Sequence, residues 1–218
     1  MVNGHDHNPT QNDFGSATRA TVGSSAKKVF LEDAQYYIED VRKNVIDTLT
    51  YDKVYKQGFN INTPINLEFQ KIATDSLRNG LSSYDKRKGW RGALTNKKYS
   101  KNWNKDIDKF NLEDSINWEL AIVKKLNKFS AEIQTEDKLD GKIEFEDISW
   151  TKKEFNELFT IGDIVYVKKL NKNNFSLRQL PEVNGGIVAM DPFTGRVLAL
   201  SGGFSFKKSE FNRATQAL

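Results

Sequence analysis

The chain has 218 residues, a formal net charge of +4 and 38% hydrophobic residues. This length suits one large domain or two small ones, and so mild a positive charge does not by itself indicate binding to nucleic acid or to an anionic membrane. The absence of cysteine excludes disulfides and cysteine-based zinc sites. Both histidines, His5 and His7, lie in the first few residues, so we expect no metal, no cofactor and no catalytic histidine.

Residues 1–28 are mostly rich in Gly, Asn, Ser and Thr and show no periodic apolar residues. This composition is typical of a disordered leader or of a segment introduced in cloning. No stretch of the chain approaches the roughly 20 apolar residues that cross a bilayer, and no signal peptide is visible. We therefore expect a soluble piece, although a fragment of a membrane protein would look the same.

Two amphipathic helices are predicted next. Asp33 can cap the first, which runs to Leu49 with apolar residues at three- and four-residue steps. Residues 59–63 alternate like a short strand that ends at Pro64. Asn66 can cap the second helix, and Gly89 follows its basic end. The apolar stripe of this second helix comprises Phe69, Ile72, Ala73, Leu77, Leu81 and Tyr84.

Residues 85–105 are dense in Lys and Arg without a helical period, which predicts a long loop or a domain junction. Five short alternating segments follow, separated by turn signals, and an apolar segment at 150–159 suits a short helix before the fourth of them. Five strands with one such helix make up an OB-type barrel, which we expect to fold by itself from about residue 118 to 179. The five predicted strands are 118–123, 131–134, 142–146, 164–167 and 175–179.

Residues 187–190 and 197–200 are apolar on both faces, which indicates strands that are covered on both sides. Between them, Pro192 and Gly195 predict a bulged hairpin turn. Such a hairpin belongs in a sheet buried by helices, and the chain looks too short to supply them. The polar ending at Leu218 therefore suggests truncation.

The Ser-x-x-Lys spacing, in which the amine assists deprotonation of the hydroxyl, occurs as Ser24–Lys27, Ser83–Lys86 and Ser205–Lys208. A chain rich in serine and lysine produces such spacings by chance. Ser24 lies in the leader, Ser83 at the charged end of a helix and Ser205 in a loop. We therefore expect no nucleophile among them, and no catalytic, cofactor-binding or metal-binding residue in the chain.

Two features raise nucleic-acid binding as an alternative. The run Lys86 to Arg91 mixes cations with Trp90 and could stack on bases or sugars, although a junction whose Trp packs on a neighbouring domain explains it more simply. OB-type barrels also bind oligonucleotides or oligosaccharides, and residues 162–167 resemble a strand of RNA-binding barrels. Against this, Glu132, Glu144 and Glu146 are expected on outward faces, where they would repel phosphate.

The last segment resembles a known family. Residues 184–203 look like the first hairpin of the transpeptidase domain in class A penicillin-binding proteins, and residues 211–217 resemble the stretch before the catalytic serine of that domain. Residues 58–63 and 80–92 resemble the entry strand and helix of the family, and Tyr-Asp-Lys-Arg-Lys-Gly-Trp-Arg-Gly indicates its Gram-negative 1A type. Residues 118–134 and 163–181 resemble the OB-like insert of this type. At residues 63–66 the usual Thr-Thr-Ile-Asp is replaced by Thr-Pro-Ile-Asn.

The resemblance implies a mainly β, α+β fold. An OB-like five-stranded β-barrel, the docking domain, would be inserted between N-terminal helices and a β-hairpin of an incomplete transpeptidase domain. The implied boundaries are a leader at 1–28, a linker with the first strand and helix of the transpeptidase domain at 29–93, the OB-like domain at 94–181 and the hairpin at 182–218.

The resemblance also implies a function for the parent protein. Such proteins polymerise glycan strands and cross-link their stem peptides through a serine acyl-enzyme, at the periplasmic face of the inner membrane behind a single N-terminal anchor. Both catalytic sites would lie outside this chain. Its expected partners are peptidoglycan, through the parent protein, and lipoproteins or other periplasmic cell-wall proteins at the OB-like domain, with no nucleic acid. The alternatives are a free-standing OB-fold module that binds single-stranded nucleic acid, and a structural interaction protein without a ligand.

Overall fold

The computed structural model describes residues 32–57 and 59–217. The described residues form two parts: two long helices, α1 and α3, pack against a C-terminal hairpin, and a larger sheet is inserted in the chain between α3 and that hairpin. The helices are α1 (Gln35–Leu49), α2 (Tyr51–Gln57), α3 (Leu67–Lys86), α4 (Phe145–Ile148) and α5 (Phe155–Leu158). The strands are β1 (Thr95–Asn96), β2 (Glu119–Asn127), β3 (Ser130–Thr135), β4 (Asp140–Glu144), β5 (Asp163–Lys169), β6 (Phe175–Arg178), β7 (Ile187–Met190) and β8 (Val197–Ser201).

Helix α1 forms where the periodicity predicts it, but Asp33 does not cap it. Ala34 holds the N-cap position without a side-chain bond. Asp33 is buried instead and binds Arg78, whose Nη1 lies 3.0 Å from its Oδ1. The buried face of α1 consists of Tyr36 and Tyr37, whose hydroxyls donate to backbone carbonyls next to and within the hairpin. Burial of a carboxylate without a counter-charge costs more free energy than the loss of a helix cap. Asp33 therefore pairs with Arg78 instead of capping α1.

Helix α3 begins at the predicted cap, because the Asn66 side chain accepts from the Phe69 N–H at 3.0 Å. The predicted strand at residues 59–63 is wrong, since those residues are irregular. The predicted apolar stripe is wrong at Phe69, Ile72 and Tyr84, which are exposed, whereas Ala73 is buried and Leu77 and Leu81 are partly buried as expected. Phe69 and Ile72 are 46% and 55% exposed, whereas Gln70 and Thr74 are buried. The helix packs against backbone polar groups, and these require hydrogen-bonding side chains rather than apolar ones.

The Gln70 side chain joins α3 to the hairpin through hydrogen bonds. Its amide donates to the carbonyl of Leu200 at 2.9 Å and accepts from the Leu200 N–H at 2.9 Å, as a neighbouring strand would. The same amide donates to the carbonyl of Asp33 at 2.9 Å. It therefore satisfies the free edge of β8 and joins three segments that are distant in sequence.

The five predicted strands of the larger sheet are confirmed as β2 to β6, and β1 is added. The strand order is β1-β5-β2-β3-β4, and β6 also pairs with β5. The sheet curls so that the Lys142 N–H of β4 donates to the Asn173 carbonyl at 2.9 Å, just before β6. Gly141 permits this approach, because a Cβ there would lie 2.3 Å from the Phe175 ring. The result is an OB-like sheet that is nearly closed.

Strands β2 and β5 are buried on both faces. Alternate residues of β2 enter an inner cluster that includes Val123, Ile133 and Phe175. The residues between them enter an outer cluster with Trp103 and Ile107. The stretch before β2 is thus more than a junction, since it covers the outer face of the sheet. This cover also fixes the register, because a shift by one residue would exchange the two faces.

The predicted helix at 150–159 is divided in two. A turn at Ser149–Thr151 ends at Lys152, which has a left-handed backbone with a φ of 56°, and α5 starts at Phe155. Strand β4 ends at Glu144 because α4 begins at Phe145, so Glu146 lies on a helix and not on the predicted strand.

The C-terminal hairpin is confirmed, and Gly195 has the positive φ of 70° that its turn requires. The expectation that this chain cannot supply covering helices is wrong in part. Helices α1 and α3 both pack against β8. Alternate residues of β7 nevertheless stay exposed, with Val188 at 41% and Met190 at 55%.

Replacement of Gln70 by Ala is expected to lower the free energy of unfolding by about 3 kcal/mol, because it leaves the N–H and the carbonyl of Leu200 buried without partners. Denaturant unfolding of the whole chain measures this loss. The matched control is Gln57→Ala at an exposed position of α2. Equal stabilities of the two variants would contradict the role given to Gln70.

Candidate functional site at the domain junction

The OB-like sheet is attached to α3 through one buried carboxylate. Asp85, in the last turn of α3, is 2% exposed. Its oxygens accept from both terminal nitrogens of Arg91, each at 2.9 Å. They also accept from Gln179 Nε2 at 2.8 Å and from the Glu182 N–H at 3.2 Å. One side chain therefore holds the chain where it enters the OB-like sheet and where it leaves it.

Arg91 completes this junction, which we define as Asp85, Arg91, Gln179, Leu180 and Glu182. Its Nη2 also donates to the Leu180 carbonyl at 2.7 Å, and its Nε lies 3.2 Å from Glu182 Oε1. The fork-shaped guanidinium can make these bonds at once, which the single ammonium of a lysine cannot. The junction therefore fixes orientation as well as proximity.

Burial of Asp85 opposes its ionisation, but the hydrogen bonds from Arg91, Gln179 and the Glu182 N–H outweigh burial. The pKa of Asp85 consequently lies below its usual value. Because the folded pKa is depressed, the stability that this carboxylate contributes is complete above the unfolded pKa. It is lost as the pH falls through the folded pKa.

The basic run is engaged within the protein. Trp90 packs edge-on against Trp150, with ring centroids 6.1 Å apart, and lies against the inner cluster. Lys86 Nζ lies 5.3 Å from the centroid of Trp150, and burial together with the nearby Arg178 lowers the pKa of Lys86. This is the arrangement of a junction whose tryptophan packs on a neighbouring domain, the simpler of the two predictions.

The three Ser-x-x-Lys spacings lie in different structural surroundings. Ser24–Lys27 lies outside the described residues, and Ser83 is exposed on α3. Ser205 is buried, and its hydroxyl donates to Glu113 Oε2 at 2.6 Å and accepts from the Lys208 N–H at 3.2 Å. The Lys208 ammonium turns away and donates to the Lys109 carbonyl at 2.6 Å. In this geometry Lys208 cannot take a proton from Ser205.

Glu113 is a structural residue that sequence reasoning missed. It is 7% exposed and accepts from the Ser205 hydroxyl and, at 2.8 Å, from the Lys207 N–H. It lies in an irregular polar stretch whose pattern gives no sign of burial. Sequence reasoning also missed the role of Gln179, because its partner Asp85 lies 94 residues away in the sequence.

The three glutamates predicted on outward faces are at least partly exposed. Glu132 lies 3.5 Å from Lys125 Nζ, and Glu144 pairs with Lys142. Glu144 and Glu146 line a surface groove of about 350 Å³ together with Phe129 and Phe145. Within the described part of the chain, no cluster of three or more His, Cys, Asp or Glu has the arrangement of a metal site.

A second cleft, of about 390 Å³, lies between the outer face of the sheet and the stretch before β2. Its lining includes Trp118, Glu136 and Tyr166. Burial and the neighbouring acidic residues raise the pKa of Glu136. Over the described ranges, no helix is both long enough and apolar enough to span a membrane.

Replacement of Asp85 by Asn is expected to cost about 3 kcal/mol of stability at neutral pH, because it removes the buried carboxylate that binds Arg91 through two hydrogen bonds and leaves Arg91 only the exposed Glu182 as a counter-charge. The difference between wild type and variant should shrink as the pH falls below 3.8, the usual pKa of Asp, and should be lost once the pH has fallen through the lower pKa of folded Asp85. Urea unfolding at several pH values measures both effects, with the exposed Asp137→Asn as control. A difference that stays constant with pH would contradict the assigned pKa direction.

Comparison with known proteins places these features in a family. A family model described as the penicillin-binding protein OB-like domain matches residues 90–183. Penicillin-binding protein 1A of Rickettsia bellii is 37% identical over 190 residues, and that of Escherichia coli K12 is 30% identical over 202 residues. Each match covers 85% of this chain and 24% of the relative, so the chain spans about a quarter of the length of these proteins.

The fold agrees with a solved structure of the same kind. The crystal structure of penicillin-binding protein 1A from Haemophilus influenzae superposes with a TM-score of 0.72 and 28% identity, over 85% of this chain and 28% of that one. The similarity extends beyond the OB-like domain to the helices or the hairpin, because the covered share exceeds residues 90–183. The chain is therefore similar to penicillin-binding protein 1A over most of its length, and residues 90–183 match the penicillin-binding protein OB-like domain.

Proposed function

We propose that this chain is the non-catalytic docking segment of a bifunctional peptidoglycan synthase. The parent protein would polymerise glycan strands and cross-link their stem peptides, and the OB-like domain would dock cell-wall proteins or glycan. Similarity to penicillin-binding protein 1A supports the parent activity. The docking role is supported by the way in which the OB-like domain is attached.

The observation that carries the docking proposal is the Asp85 junction. It ties both ends of the OB-like domain to α3, and α3 in turn binds the hairpin through Gln70. A partner bound on the OB-like domain would therefore act at the base of the hairpin through bonded contacts rather than through a flexible linker. Such a connection suits regulation of a neighbouring catalytic domain.

The domain boundaries proposed for the chain are 29–93 for the linker and first strand and helix of the transpeptidase domain, 94–181 for the OB-like domain and 182–218 for the hairpin. Residues 1–28 would be a leader. We propose that no catalytic, cofactor-binding or metal-binding residue lies in the chain. The engagement of Ser205 with Glu113 supports a structural role for that serine.

The proposed location is the periplasmic face of the inner membrane, with a single anchor in the parent protein. The proposed partners are peptidoglycan, through the parent protein, and lipoproteins or other periplasmic proteins at the OB-like domain. Binding of single-stranded nucleic acid is the second candidate, favoured only by the OB-like form of the sheet. The outward position of Glu132 and Glu144 on that sheet opposes it, since both would repel phosphate.

Incubation with a fluorescent penicillin is expected to leave the intact mass of the chain unchanged. The physical reason is that Ser205 is committed to Glu113 and the Lys208 ammonium to the Lys109 carbonyl, so no activated nucleophile is present there. Ser205→Ala serves as the matched control. A stoichiometric adduct on Ser24, Ser83 or Ser205 would overturn the non-catalytic assignment.

Titration with labelled single-stranded DNA and RNA is expected to show only weak binding that disappears at physiological salt, because the exposed cations of residues 86–105 attract any polyanion. Parallel titrations use soluble glycan fragments and periplasmic lipoproteins, at least one of which should bind at physiological salt. Sub-micromolar nucleic-acid binding that survives physiological salt would favour the OB-fold module instead. Failure of every glycan and protein ligand would remove the docking proposal.

A further inference from the structure

One groove of the OB-like domain has features that the fold does not explain. It is lined by Phe129, Glu144, Phe145 and Glu146 and is named the Phe129 groove here. Phe129 lies in the two-residue turn between β2 and β3, because Asn127 pairs with Ser130. Such turns normally carry Gly, Asn or Asp. Phe129 is 65% exposed and Phe145 is 41% exposed, so neither ring is needed in full by the core.

The two rings are brought together by strand pairing rather than by chance approach of loops. Ser130 of β3 lies opposite Glu144 of β4. Phe129 directly precedes Ser130 in the chain, and Phe145 directly follows Glu144. The register of a sheet buried on its inner face is strongly specified. The groove is therefore held on a rigid scaffold.

Two of the four residues that line the groove are glutamates, although the chain as a whole has a net charge of +4. Glu144 pairs with Lys142 and accepts from Asn174 Nδ2 at 3.4 Å. Glu146 is exposed and forms no ion pair with any described residue. Burial, followed by the like charges of Glu144 and Glu146, raises the pKa of the neighbouring Asp147.

An apolar floor with acidic walls selects a particular kind of ligand. The side chains of Arg and Lys combine an aliphatic stem with a cationic head, and an aromatic face attracts such a cation. Lys128 already shows this preference, since its Nζ lies 5.2 Å from the Phe129 centroid. Anionic ligands are disfavoured in the same place, and these include nucleic acid, anionic lipid headgroups and the carboxylates of peptide stems.

We propose that the Phe129 groove docks a partner protein through an Arg or Lys side chain that is flanked by an aliphatic residue. The stem of the basic side chain would lie on the rings of Phe129 and Phe145, and its charge would face Glu144 and Glu146. The inference rests on the proposed docking function and names the surface and the partner chemistry for it.

The test uses the full chain labelled with ¹⁵N and the capped tripeptide acetyl-Leu-Arg-Leu-amide as probe. Saturable shifts are expected for the amides of Phe129, Ser130 and Phe145. The neutral peptide acetyl-Leu-Gln-Leu-amide should bind at least about fivefold more weakly, since it lacks the cation. Equal affinity for the two peptides, or no saturable shift in the groove, would overturn the proposal.

Two variants and two matched controls locate the binding. Phe129→Ser and Glu146→Lys should each weaken binding of the Arg peptide at least about fivefold. Phe193→Ser, at a residue that is 97% exposed on the hairpin turn, and Glu157→Lys, on α5, should leave it unchanged. Because all four positions are exposed, thermal unfolding should be nearly the same in every variant. If the groove variants bind as well as wild type, the groove is not the site.

Sedimentation velocity of wild type and Phe129→Ser tests the competing occupant. Self-association that is lost in the variant would assign the groove to a second copy of this chain and overturn the proposal. The proposed docking function can be tested independently of the groove. A lipoprotein that binds equally well to wild type and to Phe129→Ser would support docking while excluding this groove. Absence of any glycan or protein ligand would remove both.

Discussion

The structure depends on one constraint, which is that a domain inserted into a chain must begin and end at nearly the same point. Asp85 meets this constraint by binding Arg91 on the entering segment and Gln179 and Glu182 on the leaving segment. A carboxylate can accept several bonds at once, and ionisation strengthens each of them. Removal of the charge would take from Arg91 its buried partner and from the junction the group that joins both segments, so the attachment depends strongly on this one carboxylate.

Gln70 solves a related problem on the other side of α3. The Asn66 N–H at the start of α3 donates to the Leu198 carbonyl of β8 at 2.8 Å, but residues within a helix have no free backbone groups to offer Leu200. The primary amide of Gln70 carries a donor and an acceptor and takes the place of a strand. Gln70 lies in the first turn of this helix and Asp85 in its last turn. Helix α3 is therefore the rigid element through which the OB-like domain and the hairpin are held together.

The surface of the OB-like domain divides by chemistry. The basic run beside the junction is bound to aromatic rings and to Asp85, so it serves attachment. The Phe129 groove has the opposite chemistry, since its exposed phenylalanines and acidic neighbours are not required by the core of the sheet. This division agrees with the proposal that the OB-like domain docks partners away from its junction with α3.

The sequence by itself determined the strands of the OB-like sheet, the cap at Asn66, the hairpin with Gly195 and the resemblance to the family. These follow from local rules of alternation, capping and turn chemistry, which act over a few residues. Only the tertiary structure decided that Asp33 pairs with Arg78, that α3 buries Gln70 and leaves Phe69 exposed, and that Glu113 holds Ser205. The partners in these contacts are 45 to 130 residues apart. A polar residue shows no local sign of the distant group that it will satisfy, because burial and partner arise together only when the chain has folded.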